Sequence, residues 1–413
     1  MSSKRNTMLE VTPEQARSFI LDIQGLRTKK PPKSIIEVAH RIHSIQIDTI
    51  SVVSRSHNLI TWNRYPKYRE GDVWNLQRKG KLFEYWSHSA CLLPMEAFPF
   101  YAWRRSFYPE ELWSSFRKWG EENKDVIEQV YKKVKKDGAT NSASMGERKT
   151  KTEGWWDWKI EKRALEYLYT TGKLMVAYRE NFQKHYDLAE RVIPPGTNTE
   201  PLSNDEAAMF VVKATLGSLG LGSHQDIRTY LGRLPARKLG MRKKTETEAY
   251  LNQKVSDGLL EEVSIGDLRE RHFVLREQVS QLSSSDNFLS HDEPVKILSP
   301  FDNIIRERHY PAQIWNFDYK IECFVPKPKR VFGYFVLPIL DGIDLAGRMD
   351  AKVHRKTGLL EIKSLYLESD SIKSPEGISR LKRGIDDFAQ FHACEDVKFN
   401  DVKPKKYAKI LRS

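Results

Sequence analysis

Apolar positions along this chain recur at two periods, and the switches between them mark out its segments. The first helix is announced by Thr12 as N-cap, Pro13 at the first helical position and Gln15 completing a capping box, with Gly25 ending the run. Beyond the Pro31-Pro32 break, Ile35, Ala39 and Ile42 line one face of a second helix. The stretch Ser44-Ile45-Gln46-Ile47-Asp48-Thr49 then alternates at period two, so Ile45 and Ile47 turn inward while Gln46 and Asp48 project together. A third helix is expected through Val52, Val53 and Leu59. After Gly80, the aromatic-rich alternation from Lys81 to Leu93 predicts a strand pair.

That order of helices followed by a β-ribbon recurs. Residues 126 to 136 read as helix, residues 137 to 154 as a Gly/Ser/Thr/Lys-rich loop, and residues 160 to 168 as an amphipathic helix. A strand at 174 to 178 and its return at 182 to 188 follow, and Pro194-Pro195-Gly196 closes the segment. A second capping box, Ser203 with Glu206, opens a helix to Leu216, and Ser223 caps toward Asp226. A helix from about Thr245 to Asp257 leads into strands at 259 to 263 and 272 to 275. Helices followed by a ribbon are the winged-helix order, and here no fixed sequence period connects the copies. From about Ile297 the pattern turns to strands at 319 to 325, 331 to 340, 345 to 353 and 359 to 367, with Asp341-Gly342 and Lys356-Thr357-Gly358 as turn residues. Ile378, Leu381, Ile385, Phe388 and Phe391 form the apolar stripe of a last helix. The expected fold is α+β: three tandem winged-helix (helix-turn-helix) units over 1–125, 126–200 and 201–296, then a C-terminal antiparallel β-sheet or barrel domain over 297–413 with a closing helix.

Composition narrows the partner. Lys and Arg total 68 against 55 Asp and Glu, a formal charge of +13 that favours a polyanion, with a membrane surface as the other reading of the same sign. No apolar run reaches the roughly 18 residues of a membrane span, and the first residues lack a secretory core. Cys91, Cys323 and Cys394 are odd in number and far apart, which suits reduced thiols and offers no CxxC pair for zinc. The chain reads as a cytoplasmic monomer, nucleoid-associated if bacterial. His40 and His43 stand three apart on a helix but lack a third ligand, and no P-loop, GxGxxG or Ser-His-Asp pattern stands out. No metal and no cofactor are expected.

Gln46 and Asp48 are the residues on which chemistry can be built. Hydrolysis of a nucleotide's glycosidic bond passes through an oxocarbenium-like sugar, which one ionised carboxylate can stabilise while taking a proton from water. A glutamine offers donor and acceptor to hold that water or the base. A second acid is unnecessary if the leaving base is already cationic, as an N7-alkylated purine is. The competing reading is local: Asp48-Thr49 directly precedes the expected third helix, and aspartate is a good N-cap. Spacing alone favours the cap, and the two roles do not exclude each other.

Several separated motifs carry a resemblance. Gln46-Ile-Asp-Thr-Ile-Ser-Val-Val-Ser-Arg-Ser56 and Phe83-Glu-Tyr-Trp-Ser-His-Ser-Ala-Cys91 resemble the YcaQ (AlkX) and AlkZ group of winged-helix DNA glycosylases. So do Gly154-Trp-Trp-Asp-Trp-Lys159, Ala164-Leu-Glu-Tyr-Leu168, Tyr186-Asp-Leu-Ala-Glu-Arg191, Ser299-Pro-Phe-Asp302, Tyr319-Lys-Ile-Glu-Cys-Phe-Val325 and Arg330-Val-Phe-Gly-Tyr334. The resemblance implies an enzyme that excises alkylated bases or unhooks interstrand crosslinks in double-stranded DNA. That group's active-site motif has a Gln-apolar-Gln and a Gln-apolar-Asp form, and this chain is similar to the latter, YcaQ-like branch, associated with N7-alkylguanine and crosslinks. Carried over, Asp48 is the catalytic carboxylate and Gln46 its positioning partner. The loop from Gly138 to Glu153 is longer and more polar than the family pattern.

Further contacts are read from the residues themselves. Glu84, Trp86 and His88 share a strand face, and His88 reaches a phosphate or the lesion unless it is a half-buried structural histidine. Arg55 is a phosphate contact or an exposed arginine without one. Arg104, Arg105, Arg117 and Lys118 sit among the aromatic residues of 98 to 119, a mixture suited to DNA, although most of those rings belong in a core. The Trp155-Trp156 pair and Trp158 carry the same ambiguity. Asp302 and Asp350 are groove or structural residues, with a turn or cap role the default for Asp302. The expected function is a monofunctional DNA glycosylase. A winged-helix transcriptional regulator without chemistry is the alternative from another class, and an RNA-binding module a third.

Overall fold

A computed structural model describes residues 8–27, 31–145, 160–285 and 294–412. Its contacts divide the chain into two compact units, Met1–Arg69 with Val211–Ser413, and Glu70–Phe210. The boundaries of these units fall inside the segments 1–125 and 201–296 expected from sequence. The architecture is mixed α+β.

In the first unit the opening helix, Pro13–Ile23, has the capping box its sequence announces: the Gln15 amide donates to Thr12 Oγ1 at 3.2 Å and the Thr12 amide donates to Gln15 Oε1 at 2.8 Å. The second helix is Ile35–Ile42. The third begins later than its apolar pattern suggests, at Ser56–Trp62, leaving Val52 and Val53 outside it. Tertiary bonds explain the delay. The Val353 amide donates to the Val52 carbonyl at 3.2 Å and Arg355 Nη2 donates to the Val53 carbonyl at 2.7 Å, so those acceptors are already committed to a distant strand. Val53 and Leu59 join the core of the C-terminal sheet.

That sheet has five strands, in the order Asp396–Lys403, Leu359–Leu367, Asp344–His354, Val336–Asp341, Lys296–Ile297. The last three pairings are antiparallel as expected, but Asp396–Lys403 pairs parallel with Leu359–Leu367, so the sheet is mixed rather than antiparallel. The sequence reading passed over this edge strand, because Asp396-Val-Lys-Phe-Asn-Asp-Val-Lys403 is half charged and its alternation is short. Residues 319 to 325, expected as a strand, form none, and Tyr319 instead turns its hydroxyl inward to donate to the Val336 carbonyl at 2.5 Å. The closing helix, Pro375–Phe391, buries Ile378, Leu381, Ile385 and Phe388 against the sheet. Gly384 permits that approach, since a Cβ there would lie 2.3 Å from the Val295 carbonyl oxygen.

The same unit holds a ribbon of Leu260–Ile265 and His272–Leu275, extended by the parallel N-terminal strand Leu9–Val11, which apolar patterning did not reveal. The helix Lys244–Ser256 precedes it. The Ser223 cap is present as read, its amide donating to Asp226 Oδ2 at 2.7 Å.

The second unit contains the strand pair Leu82–Trp86 and Ala90–Pro94, the helices Lys124–Asp137 and Ile160–Thr170, and the ribbon Leu174–Glu180 with Gln183–Leu188. Its two ribbons are tied by a buried fork, Arg179 Nε and Nη2 each donating to a Glu84 carboxylate oxygen at 2.7 Å. Phe98, Phe100, Tyr101 and Trp103 are core, as most of that aromatic run was expected to be. Trp155, Trp156, Trp158 and the second half of the long polar loop lie outside the described residues. Among the described residues no helix is long and apolar enough to cross a membrane.

Candidate active site

The site segment leaves the second helix through His43, whose φ of 57° turns the chain, and runs on as a two-residue strand, Ile45–Gln46. Ile45 and Ile47 are buried as their alternation requires, and Gln46 is buried with them. Asp48 is half-buried and Thr49 exposed. The turn beneath is braced from the same unit: Tyr230 donates its hydroxyl hydrogen to the Ile42 carbonyl at 2.8 Å, and Asn303 Nδ2 donates to that carbonyl at 3.0 Å and to the Tyr230 oxygen at 2.8 Å. His43 is held neutral in this packing, its pKa pushed down to about 4 by burial and by the nearby Arg306 and His40.

Asp48 caps no helix. Its Oδ1 accepts the Ile50 amide at 2.7 Å, an Asx-type turn within the loop. The next helix starts at Ser56, where Arg55 occupies the N-cap position without a side-chain cap. The capping expectation is therefore corrected: the carbonyls of Val52 and Val53 are taken by Val353 and Arg355, and the helix that Asp48 would have capped does not begin there. Burial raises the Asp48 carboxyl above its ordinary range, only partly offset by the Ile50 amide. Oδ2 takes no hydrogen bond from the described residues.

Cys323, in the 319–334 stretch, lies within electrostatic range of this carboxylate: its thiol is pushed up by burial and then by the negative charge of Asp48. Glu322, buried at its base, closes the stretch into a loop by accepting the amides of Val331 at 3.0 Å, Phe332 at 2.9 Å and Gly333 at 3.1 Å. Within the loop Phe324 is 88% exposed and Val331 68%, with Lys327, Lys329 and Arg330 between them. Sequence patterning missed this loop, since its apolar residues were read as strand. Pro326-Lys-Pro-Lys329 is the connection between two of the expected strands, and what misleads is the apolar content of the residues on either side of it.

Other predicted positions are placed as follows. Arg55 is half-buried, just before the helix rather than on it. In the second unit Trp86 is half-buried beside Tyr169, with the Lys184 ammonium 5.4 Å from its ring. His88 is half-buried, its Nδ1 3.9 Å from Cys91 Sγ. Arg104 is buried and donates Nη1 to the Ser87 carbonyl at 3.0 Å, and Arg105 packs its guanidinium 4.4 Å from the Phe98 ring centre. Asp302 has the turn role expected of it, its Oδ1 accepting the Ile304 amide at 3.3 Å, and is also the buried ion-pair partner of Arg64; Asp350 accepts the Tyr334 amide at 3.1 Å.

A half-buried carboxylate with one oxygen uncommitted, next to a buried amide and an exposed basic loop, is equipped to act on a cationic leaving group in a polyanion. The sequence of residues 39–391 matches the AlkZ-like family, described as DNA glycosylase AlkZ-like, and the chain belongs to that family of hydrolases acting on N-glycosyl bonds in DNA. Among solved structures it is similar to the DNA glycosylase AlkZ of Streptomyces sahachiroi, with a TM-score of 0.65 and 17% identity over 95% of this chain and 100% of that one. At that identity the likeness speaks for the fold.

Proposed function

We propose that this glycosylase releases N7-alkylated purines and unhooks N7-linked interstrand crosslinks, with Asp48 as the catalytic carboxylate and Gln46 as its positioning partner. The observation that carries the reading is that Asp48 is free of a capping duty, half-buried and raised by that burial. As the bond between C1′ and N9 breaks, its electron pair neutralises the cationic base, so no proton has to be delivered to the leaving group. The ionised Asp48 stabilises positive charge growing on the sugar and takes a proton from the water that attacks C1′. Gln46 holds that water or the base edge. The products are the free base and an abasic site, with no covalent enzyme intermediate, which makes the activity monofunctional.

Three tandem winged helices would present duplex DNA to this site, and the ribbons and helices described above are the elements they need. We assign Arg55, Trp86 and His88 to the DNA-facing surface. Arg104 and Arg105 could reach DNA only by leaving the Ser87 carbonyl and the Phe98 ring, so we assign them to the scaffold of their ribbon. A base crosslinked to the other strand cannot be fully extruded, so the proposal requires attack on a nucleotide that stays near the duplex. The test is release of N7-methylguanine and unhooking of a nitrogen-mustard crosslink by the wild type and by Asp48→Asn. Borohydride trapping should yield no protein–DNA adduct, and a trapped adduct would contradict the monofunctional assignment.

A further inference from the structure

Away from Asp48 along the first unit's chain, between the short helices His224–Thr229 and Arg233–Lys238 and the start of Lys244–Ser256, lies a cavity of about 590 Å³. Its walls include Arg228, Arg233, Arg237 and Arg242, with Gln225 and Thr229 supplying neutral polar groups. Arg233, Arg237 and Arg242 are exposed, and Arg228 is half-buried. Arg228, Arg233 and Arg242 form no ion pair or hydrogen bond with any described residue. The carboxylates nearby are engaged elsewhere: Asp226 holds His309 and Ser223, Glu246 accepts the Lys243 amide, and Glu270 pairs with His224.

Four guanidinium-bearing side chains converging on one concavity repel each other, and three of them have no internal compensation. Water solvates those charges, and a phosphate offers them the charge-assisted hydrogen bonds that no described residue supplies to Arg228, Arg233 and Arg242. The sequence around the cavity sharpens the point, because Arg233, Arg237, Lys238, Arg242, Lys243 and Lys244 occur with no acidic residue until Glu246. The walls carry no aromatic side chain on which a base could stack. Guanidinium forks match phosphate oxygens, and with no aromatic wall no base is held there by stacking.

We propose that this cavity is a second DNA-contact site, which grips the sugar-phosphate backbone outside the lesion and is independent of sequence. It rests on the chain's membership of a DNA glycosylase family, and not on the assignment of Asp48 or of the lesion. Its contribution is to hold and orient undamaged duplex, so it acts on affinity and not on the bond-breaking step.

The test is the full-length double variant Arg233→Gln/Arg242→Gln, with Lys132→Gln/Lys133→Gln, an equal loss of charge in the second unit, as control. Each phosphate contact contributes roughly 0.9 to the slope of log affinity against log salt. The expected result is a slope shallower by about 1 to 2 for undamaged duplex and affinity weaker by about tenfold at low salt, with unchanged excision at saturating substrate and an unaltered thermal midpoint. An unchanged slope, or an equal change in the lysine control, overturns the proposal. Titration with AMP and with pyrophosphate distinguishes the other source of phosphate: binding abolished by the arginine variant while the DNA slope stays the same also overturns it. Loss of excision by Asp48→Asn alone bears on the catalytic reading and leaves this test unaffected.

Discussion

Asp48 and Ile50 are joined across a single turn, the Asp48 carboxylate accepting the Ile50 amide at 2.7 Å, six residues before the first full helical residue, Ser56. An asparagine can keep that hydrogen bond through its own Oδ1, whereas the charge it removes is one that burial opposes. Because the folded carboxyl is raised above its ordinary value, the folded state binds more protons than the unfolded one in the interval between, and stability falls as pH rises through it. Asp48→Asn should therefore have a thermal midpoint at neutral pH equal to or above the wild type. Excision of a permanently cationic lesion by the wild type should decline as pH falls through the raised Asp48 pKa. A variant with a clearly lowered midpoint would show that the carboxylate is structural.

Arg64 and Asp302 form the most enclosed ion pair of the first unit, Nη1 and Nη2 donating to the two carboxylate oxygens at 2.7 and 2.9 Å with both side chains 0% exposed. Arg64 Nε also donates to the Gln24 carbonyl at 2.8 Å, so this pair joins the first helix's end, the third helix and the Ser299-Pro-Phe-Asp302 turn. Removing one partner strands a buried charge, and Asp302→Ala should destabilise the protein by about 3–5 kcal/mol. Chemical denaturation followed by tryptophan fluorescence measures it. A loss below about 1 kcal/mol would mean that water reaches the pair.

His309 and Asp226 make stability depend on pH from the alkaline side. Burial lowers the His309 pKa, but the hydrogen bond and charge of Asp226, with Nε2 to Oδ1 at 2.8 Å, outweigh it and leave the histidine raised. The contribution is fully present below the ordinary histidine value of 6.5 and is lost as pH rises through the raised one. His309→Gln should lower the thermal midpoint near pH 6 and flatten its decline toward alkaline pH. Parallel midpoint curves for the two proteins would contradict the pairing.

Phe324 has little folded-state role to lose, being 88% exposed in the loop that Glu322 fastens. Phe324→Ala should leave the thermal midpoint unchanged and lower excision several-fold, mostly through KM, because the exposed ring follows Cys323, which feels the charge of Asp48, and is available to stack on DNA. Unchanged kinetics would remove the loop from the DNA-binding surface.

Much of the fold was legible where the signal is local. Thr12 with Gln15 and Ser223 with Asp226 form the caps their spacing announces, and Leu359–Leu367 is a strand to the residue. What stayed hidden depends on distant partners. Val52 and Val53 read as helix because nothing nearby shows that Val353 and Arg355 take their carbonyls. The edge strand Asp396–Lys403 alternates only over Asp396-Val-Lys-Phe-Asn400 and is half charged, a short signal that the reading passed over, and its parallel pairing came from the structure. Gln46 and Asp48 were found from alternation together with the family resemblance, yet the freedom of Asp48 from capping became visible only once the helix start at Ser56 was known. The Cys323–Phe324 loop was lost for a related reason, since apolar residues that face solvent look in sequence like residues that face a core.

The measurement that bears most directly on this account is single-turnover release of N7-methylguanine from duplex DNA by the wild type and by Asp48→Asn, with DNA affinity determined for both. The account predicts that release by the variant falls by about 10²–10⁴-fold, the range of one positioned acid–base group, while DNA affinity and thermal midpoint are kept. Equal release by the two proteins would contradict it.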